Sequence, residues 1–208
     1  MLDRILKNAL EGITVIEEET GSVSNILSKQ MGGFAQAEGK KVGTISLETQ
    51  EIEELQGAVT GIQGASGMEE LVTHKRRRSS QMSDEDGEYG LLGALEYDVI
   101  IMNSLSTYLF DKSEKQAVDL INRISNLARV ERKAFIITFD KALVTNRLAA
   151  FLQATADSVI VIHTEITSDR ITRMLYIPKM KDSRPPERLI KITIDENGLQ
   201  VDTREFVG

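Results

Sequence analysis

The densest set of chemically capable residues runs from Glu17 to Asn25, as Glu17-Glu18-Glu19-Thr20-Gly21-Ser22-Val23-Ser24-Asn25. It lies between an apolar run, Ile13-Thr14-Val15-Ile16, and a stretch with helical spacing. A turn from a strand into a helix is where parallel sheets bind ligands, because the free amides of the helix start face the cleft. Hydrolytic chemistry is poorly served there. Ser22 and Ser24 have no histidine beside them to activate a hydroxyl, and Ser22 reads as a helix cap. Consecutive strand residues alternate faces, so Glu17 to Glu19 do not converge as an acid/base pair. The two histidines, His74 and His163, lack paired ligand spacing, and there is no cysteine, so no metal site is expected. Glu48, Asn103, Thr138 and Asp140 fall at or just beyond strand ends, where they could line a polar pocket suited to a cation or an amine. One further cluster, His74-Lys75-Arg76-Arg77-Arg78-Ser79-Ser80, is strongly basic.

The elements that must position these residues follow from periodicity. Leu2, Ile5, Leu6 and Leu10 share a helical face that Gly12 ends. Strand Ile13–Ile16, a helix over 21–38 stopped by Gly39, and strand Val42–Leu47 form a strand–helix–strand unit, which implies a parallel pair with a crossover helix. Thr49 to Gln56 reads as a short acidic helix. From Gly57 to about Leu92, glycines and charge runs interrupt all periodicity, which predicts a mobile excursion. Order returns at Tyr97–Met102, a strand. A helix capped by Ser113 follows, with Ala117, Leu120, Ile121, Ile124 and Ala128 inward. Ala134–Phe139 is a strand, Leu143–Ala154 a helix and Ser158–His163 a strand. Arg170–Met180 and Arg188–Val201 alternate apolar and polar residues, with Asn197-Gly198 as a hairpin turn. One domain spanning 1–208 is expected, a mainly parallel α/β sheet finished by antiparallel C-terminal strands.

Bulk composition narrows the partners. With 41% hydrophobic and 27% charged residues, the chain can bury a core and solvate its surface. A net charge of −7 disfavours nucleic acid or anionic membrane over the whole surface. No apolar run approaches the roughly 20 residues of a membrane span, and the charged N-terminus is unlike a signal peptide, so a cytoplasmic, non-membrane protein is expected. The run Lys75 to Arg78 is balanced by Asp84, Glu85, Asp86 and Glu88 and reads as a solvated loop tip, or alternatively as a docking patch. No aromatic residue lies within it to stack a base.

The turn at Glu17 to Asn25 resembles the phosphate loop of ATPases, G-x-x-x-x-G-K-[ST], in position, length and the helix that follows. Together with Lys41-Val42-Gly43-Thr44-Ile45-Ser46-Leu47-Glu48, Tyr97 to Ser106, and Lys179-Met180-Lys181-Asp182-Ser183, it makes the chain similar to the RecA/KaiC-like ATPases over most of its length. That resemblance implies a three-layer RecA-like fold. Registering Gly21 on the internal glycine of the loop places Glu18 at its first glycine and Val23 at its second. Ser24 then takes the lysine and Asn25 the magnesium-holding hydroxyl. Asn103 stands where the strand-end aspartate would be, and Glu48 where the water-activating acid would be. Lys179 matches a lysine that reaches a neighbouring subunit's nucleotide, whereas Lys181 and Asp182 replace an Arg and a Gly.

The loop and strand-end motifs are therefore degenerate. Two like charges 4 Å apart repel by about 1 kcal/mol in water and about 4 at an effective dielectric of 20, so acids in this loop oppose a triphosphate. A base without held phosphate and metal has nothing to activate. The expectation is a non-catalytic pseudo-ATPase that needs no cofactor, with ATP and magnesium possible only at a rebuilt site. It would act as a binding or regulatory subunit with copies of itself or an active relative. The alternatives are a residual nucleotide binder or slow ATPase, and a nucleic-acid-associated accessory that uses the basic loop.

Overall fold

A computed structural model of the chain describes residues 6–7, 9–18, 23–46, 51–54, 96–195 and 198–202. Their strands are β1 (Ile13–Glu18), β2 (Val42–Ser46), β3 (Glu51–Glu54), β4 (Val99–Asn103), β5 (Ala134–Asp140), β6 (Ser158–Ile166), β7 (Ile171–Lys179), β8 (Ile190–Asp195) and β9 (Gly198–Val201). The helices are α1 (Val23–Ala37), α2 (Leu105–Leu109), α3 (Glu114–Val130) and α4 (Asn146–Thr155), with a 3-10 turn at Lys141–Leu143.

All nine described strands join one sheet in the order β3-β2-β4-β5-β1-β6-β7-β8-β9. β2, β4, β5, β1 and β6 run parallel. β3 at one edge and β7 to β9 at the other are antiparallel. The central strands are apolar on both faces because helices cover both. On one side Leu27, Met31 and Ala35 of α1 pack on Ile16, Ile101, Ile136 and Ile160. On the other, α2, α3 and α4 cover Val15, Ile100, Phe135 and Ile137. The result is the three-layer α/β arrangement expected, closed by antiparallel strands.

Local chemistry fixes the ends of several elements. The Ser113 side chain accepts a hydrogen bond from the Gln116 amide, and the Gln116 side chain accepts one from the Ser113 amide, a reciprocal cap for α3. Ala117, Ile121, Ile124 and Ala128 form its buried stripe, and Leu120 is only half-buried at the margin. Gly198 sits at φ 99, a conformation that suits the β8–β9 turn and disfavours a side chain.

The structure revises three local expectations. β1 and β2 are parallel but are not neighbours, since β5 and β4 lie between them. Residues 51–54 form an edge strand, with Ile52 opposite Ile45, rather than a helix, so sheet pairing overrides the local composition. The helix expected from Leu143 is split, because Thr145 accepts from the Leu148 amide and starts α4 afresh. The Gly57-to-Leu92 excursion lies outside the described residues.

Candidate functional site

β1 is the central strand of the nine and lies between β5 and β6, so its last residues emerge between the ends of those strands, with Glu18 opposite Asp140 and Ile162. Pleating sends Thr14, Ile16 and Glu18 toward α1 and sends Val15 and Glu17 to the opposite face. Both glutamates are 3% exposed. They serve different neighbours.

Glu18 turns onto the start of α1. One carboxylate oxygen accepts from the Val23 amide at 3.3 Å and the other from the Ser24 amide at 2.9 Å. Both residues are buried, so these amides would otherwise face a dry interior. The first amides of a helix have no partner within it, and the helix dipole adds about half a positive charge at that end. A carboxylate held across two such amides fills the place where a helix start takes up an external anion.

Glu17, on the other face, accepts from Gln153 Nε2 of α4 and lies 3.3 Å from Lys141 Nζ. The charge of Glu17 is therefore directed away from α1. It does not join Glu18 in a cluster.

Beside Glu18, the ends of β4 and β5 meet α1 through neutral groups. Ser28 Oγ lies 3.0 Å from both Asn103 Oδ1 and the Asn25 carbonyl, within donating distance of each. Thr138 Oγ1 accepts from the Ser104 amide at 2.9 Å and reaches Asn25 Oδ1 at 3.4 Å, a long contact. Ser104 adopts φ 56, in the left-handed region, immediately after β4. Asp140 is turned aside, accepting from the Ala142 amide at 2.8 Å and so starting the 3-10 turn. Of the four residues that could have lined a polar pocket, Asn103 and Thr138 gather under α1, Asp140 caps a turn, and Glu48 lies outside the described residues.

The structure thus brings Glu18, Val23, Ser24, Asn25 and Asn103 into one place. Gly21, Ser22 and Lys75 to Arg78 lie outside the described residues. Lys179 Nζ donates to the carbonyls of Ala154 and Ala156 at the carboxyl end of α4, where a cation is favoured. Lys181 Nζ lies 3.5 Å from Glu11. Each lysine expected at a subunit seam therefore has a partner within its own chain. Among the described residues, no group of three or more His, Cys, Asp or Glu is placed to hold a metal ion. None of their helices is long and apolar enough to cross a membrane.

Sequence reasoning missed Ser28, which ties α1 to β4, and the return of Glu18 onto the helix start. The sequence carried one usable signal for Glu18. Its parity with Ile16 puts it on the face of α1, a few residues before that helix begins.

A mainly parallel sheet, with a helix start meeting the carboxyl end of its central strand and antiparallel strands closing one side, has the RecA/KaiC-like fold of P-loop ATPases. Two solved structures share it. The flagellar accessory protein FlaH from Methanocaldococcus jannaschii matches with a TM-score of 0.61 at 13% identity, over 97% of this chain and 94% of its own. The KaiC-like protein PH0186 from Pyrococcus horikoshii matches with a TM-score of 0.64 at 13% identity, over 92% of this chain and 90% of its own. No protein-family model matches the sequence, and no curated protein matches it.

Proposed function

We propose that this chain is a RecA/KaiC-like subunit that does not turn over ATP and acts by binding, with copies of itself or an active relative as its partner. The observation that carries this reading is the Glu18 carboxylate on the amides of Val23 and Ser24. Those amides would have to receive a phosphate, and a negative group already satisfies them. Ser24 supplies no cation where the loop pattern has its lysine. The side-chain oxygen of Asn103 is engaged by Ser28 and lacks the charge that offsets magnesium. The residues present therefore do not fit a magnesium-bound triphosphate at this helix start. One structural neighbour is a flagellar accessory protein, and an accessory role without turnover agrees with such a site.

The test is direct. Purified protein supplied with ATP and magnesium is expected to release no phosphate above the buffer background. Sedimentation over a range of concentrations is expected to report association with itself or with an added active relative. Magnesium-dependent turnover that disappears in Glu48→Gln would overturn the proposal.

A further inference from the structure

At the amino-terminal edge of the same parallel strands, a cleft of about 670 Å³ is lined by Gly12, Val99, Ala134 and neighbouring residues. Lys40, Arg129, Arg132, Lys133 and Lys181 all contribute to its walls. They come from three separated stretches: the α1–β2 link, the end of α3 with its link to β5, and the β7–β8 link. Glu11, Asp98 and Asp157 also line it, and each is engaged. Glu11 lies 3.5 Å from Lys181, Asp98 accepts from the Lys41 amide at 2.9 Å, and Asp157 accepts from the Ile13 amide at 2.9 Å. Lys40 pairs with Glu38 at 3.4 Å. Among the described residues, the side chains of Arg129, Arg132 and Lys133 have no ion pair or hydrogen bond.

A cation near the end of α3 offsets the half negative charge of the helix terminus. Three unpaired cations exceed that need, and they stand in a chain whose net charge is −7. The backbone adds an independent sign. Helix α3 ends at Glu131, and the next residue, Arg132, adopts φ 54. Helices that end this way favour glycine there, because a side chain in the left-handed region is strained. Arg132 therefore holds its guanidinium at the cleft from a backbone conformation that glycine adopts more easily.

We propose that this cleft binds a small anion bearing two or more phosphate groups, gripped by Arg129, Arg132 and Lys133, with Lys40 and Lys181 also lining it. The volume suits a small molecule. Guanidinium groups fork onto phosphate oxygens, and cations from several sides match charge spread over more than one group.

Inorganic triphosphate is the probe, titrated calorimetrically into the full chain at fixed ionic strength, with sodium chloride as the control. The wild type is expected to bind it. Arg132→Gly is expected to weaken binding by about 10-fold or more, through loss of a charged hydrogen-bond donor. The same variant without ligand is expected to melt about 2–4 °C higher, as backbone strain is relieved. The proposal is overturned if wild type gives no binding heat beyond the salt control, if Arg132→Gly binds equally well, or if that variant melts lower. Should affinity ignore Arg132 and respond instead to Glu18→Gln, the anion sits at α1, and the proposed function falls as well. Absence of binding in the wild type leaves the proposed function standing.

Discussion

The two edges of the parallel sheet treat charge in opposite ways. At the carboxyl edge, where folds of this kind meet phosphate, Glu18 is 3% exposed and satisfies two buried amides from within the chain. At the amino edge, Arg129, Arg132 and Lys133 line an open cleft with no ion pair among the described residues. At the first edge a side chain of the fold takes the place of an external anion, and at the second the basic side chains outnumber the acids that line the cleft. On the reading proposed above, unmet charge is a better guide to a binding site than the fold alone.

The largest effect should come from breaking the closed edge. Glu18→Ala leaves the Val23 and Ser24 amides buried without acceptors and is expected to cost about 2–5 kcal/mol in urea denaturation. Added sulfate should restore part of that loss by occupying the vacated amides. A cost near zero would mean that the carboxylate contributes little to closing this edge.

Next comes the floor of the open edge. Gly12 adopts φ 71, and a Cβ there would meet Asp157 Oδ2 at 2.1 Å. Gly12→Ala must strain the backbone and push Asp157 off the Ile13 amide, for an expected loss of about 2–3 kcal/mol, read as a lower urea midpoint. A variant as stable as wild type would show that this floor yields freely.

The smallest effect is expected at Asn103→Asp. Its carboxylate can still accept from Ser28, so stability should change by less than about 1 kcal/mol. Restoring this one acid should leave phosphate release from ATP at background, because the α1 amides remain occupied. Turnover gained from this substitution alone would contradict the closed-edge reading.

Much of this was legible from the residues. Continuous β-branched runs marked the buried strands, Ser113 marked the start of α3, and Gly198 marked a hairpin. Each signal is local, depending on neighbours within a turn or a pleat. What could not be read depends on distant partners. The insertion of β5 and β4 between β1 and β2 is set by sheet assembly, and residues 51–54 become a strand because β2 offers an edge. Within the site, the departures from the resembling motif were visible as a missing cation at Ser24, a missing hydroxyl at Asn25 and a missing carboxylate at Asn103. The acids of the loop were expected to act together against a triphosphate. In the fold Glu17 is paired away with Lys141 and Gln153, and Glu18 alone meets α1. The amino-edge cleft was invisible, because it gathers residues from positions 10 to 181 that share no motif.

The acid at the mouth of α1 is tethered to the same chain as the amides that it serves. A tethered group competes at a high effective concentration that dilution cannot lower, whereas a free phosphate must supply its own. If the proposed function holds, the Val23 and Ser24 amides are not filled and vacated as nucleotide levels rise and fall, and a subunit built this way gives its neighbours a constant surface rather than a fluctuating one.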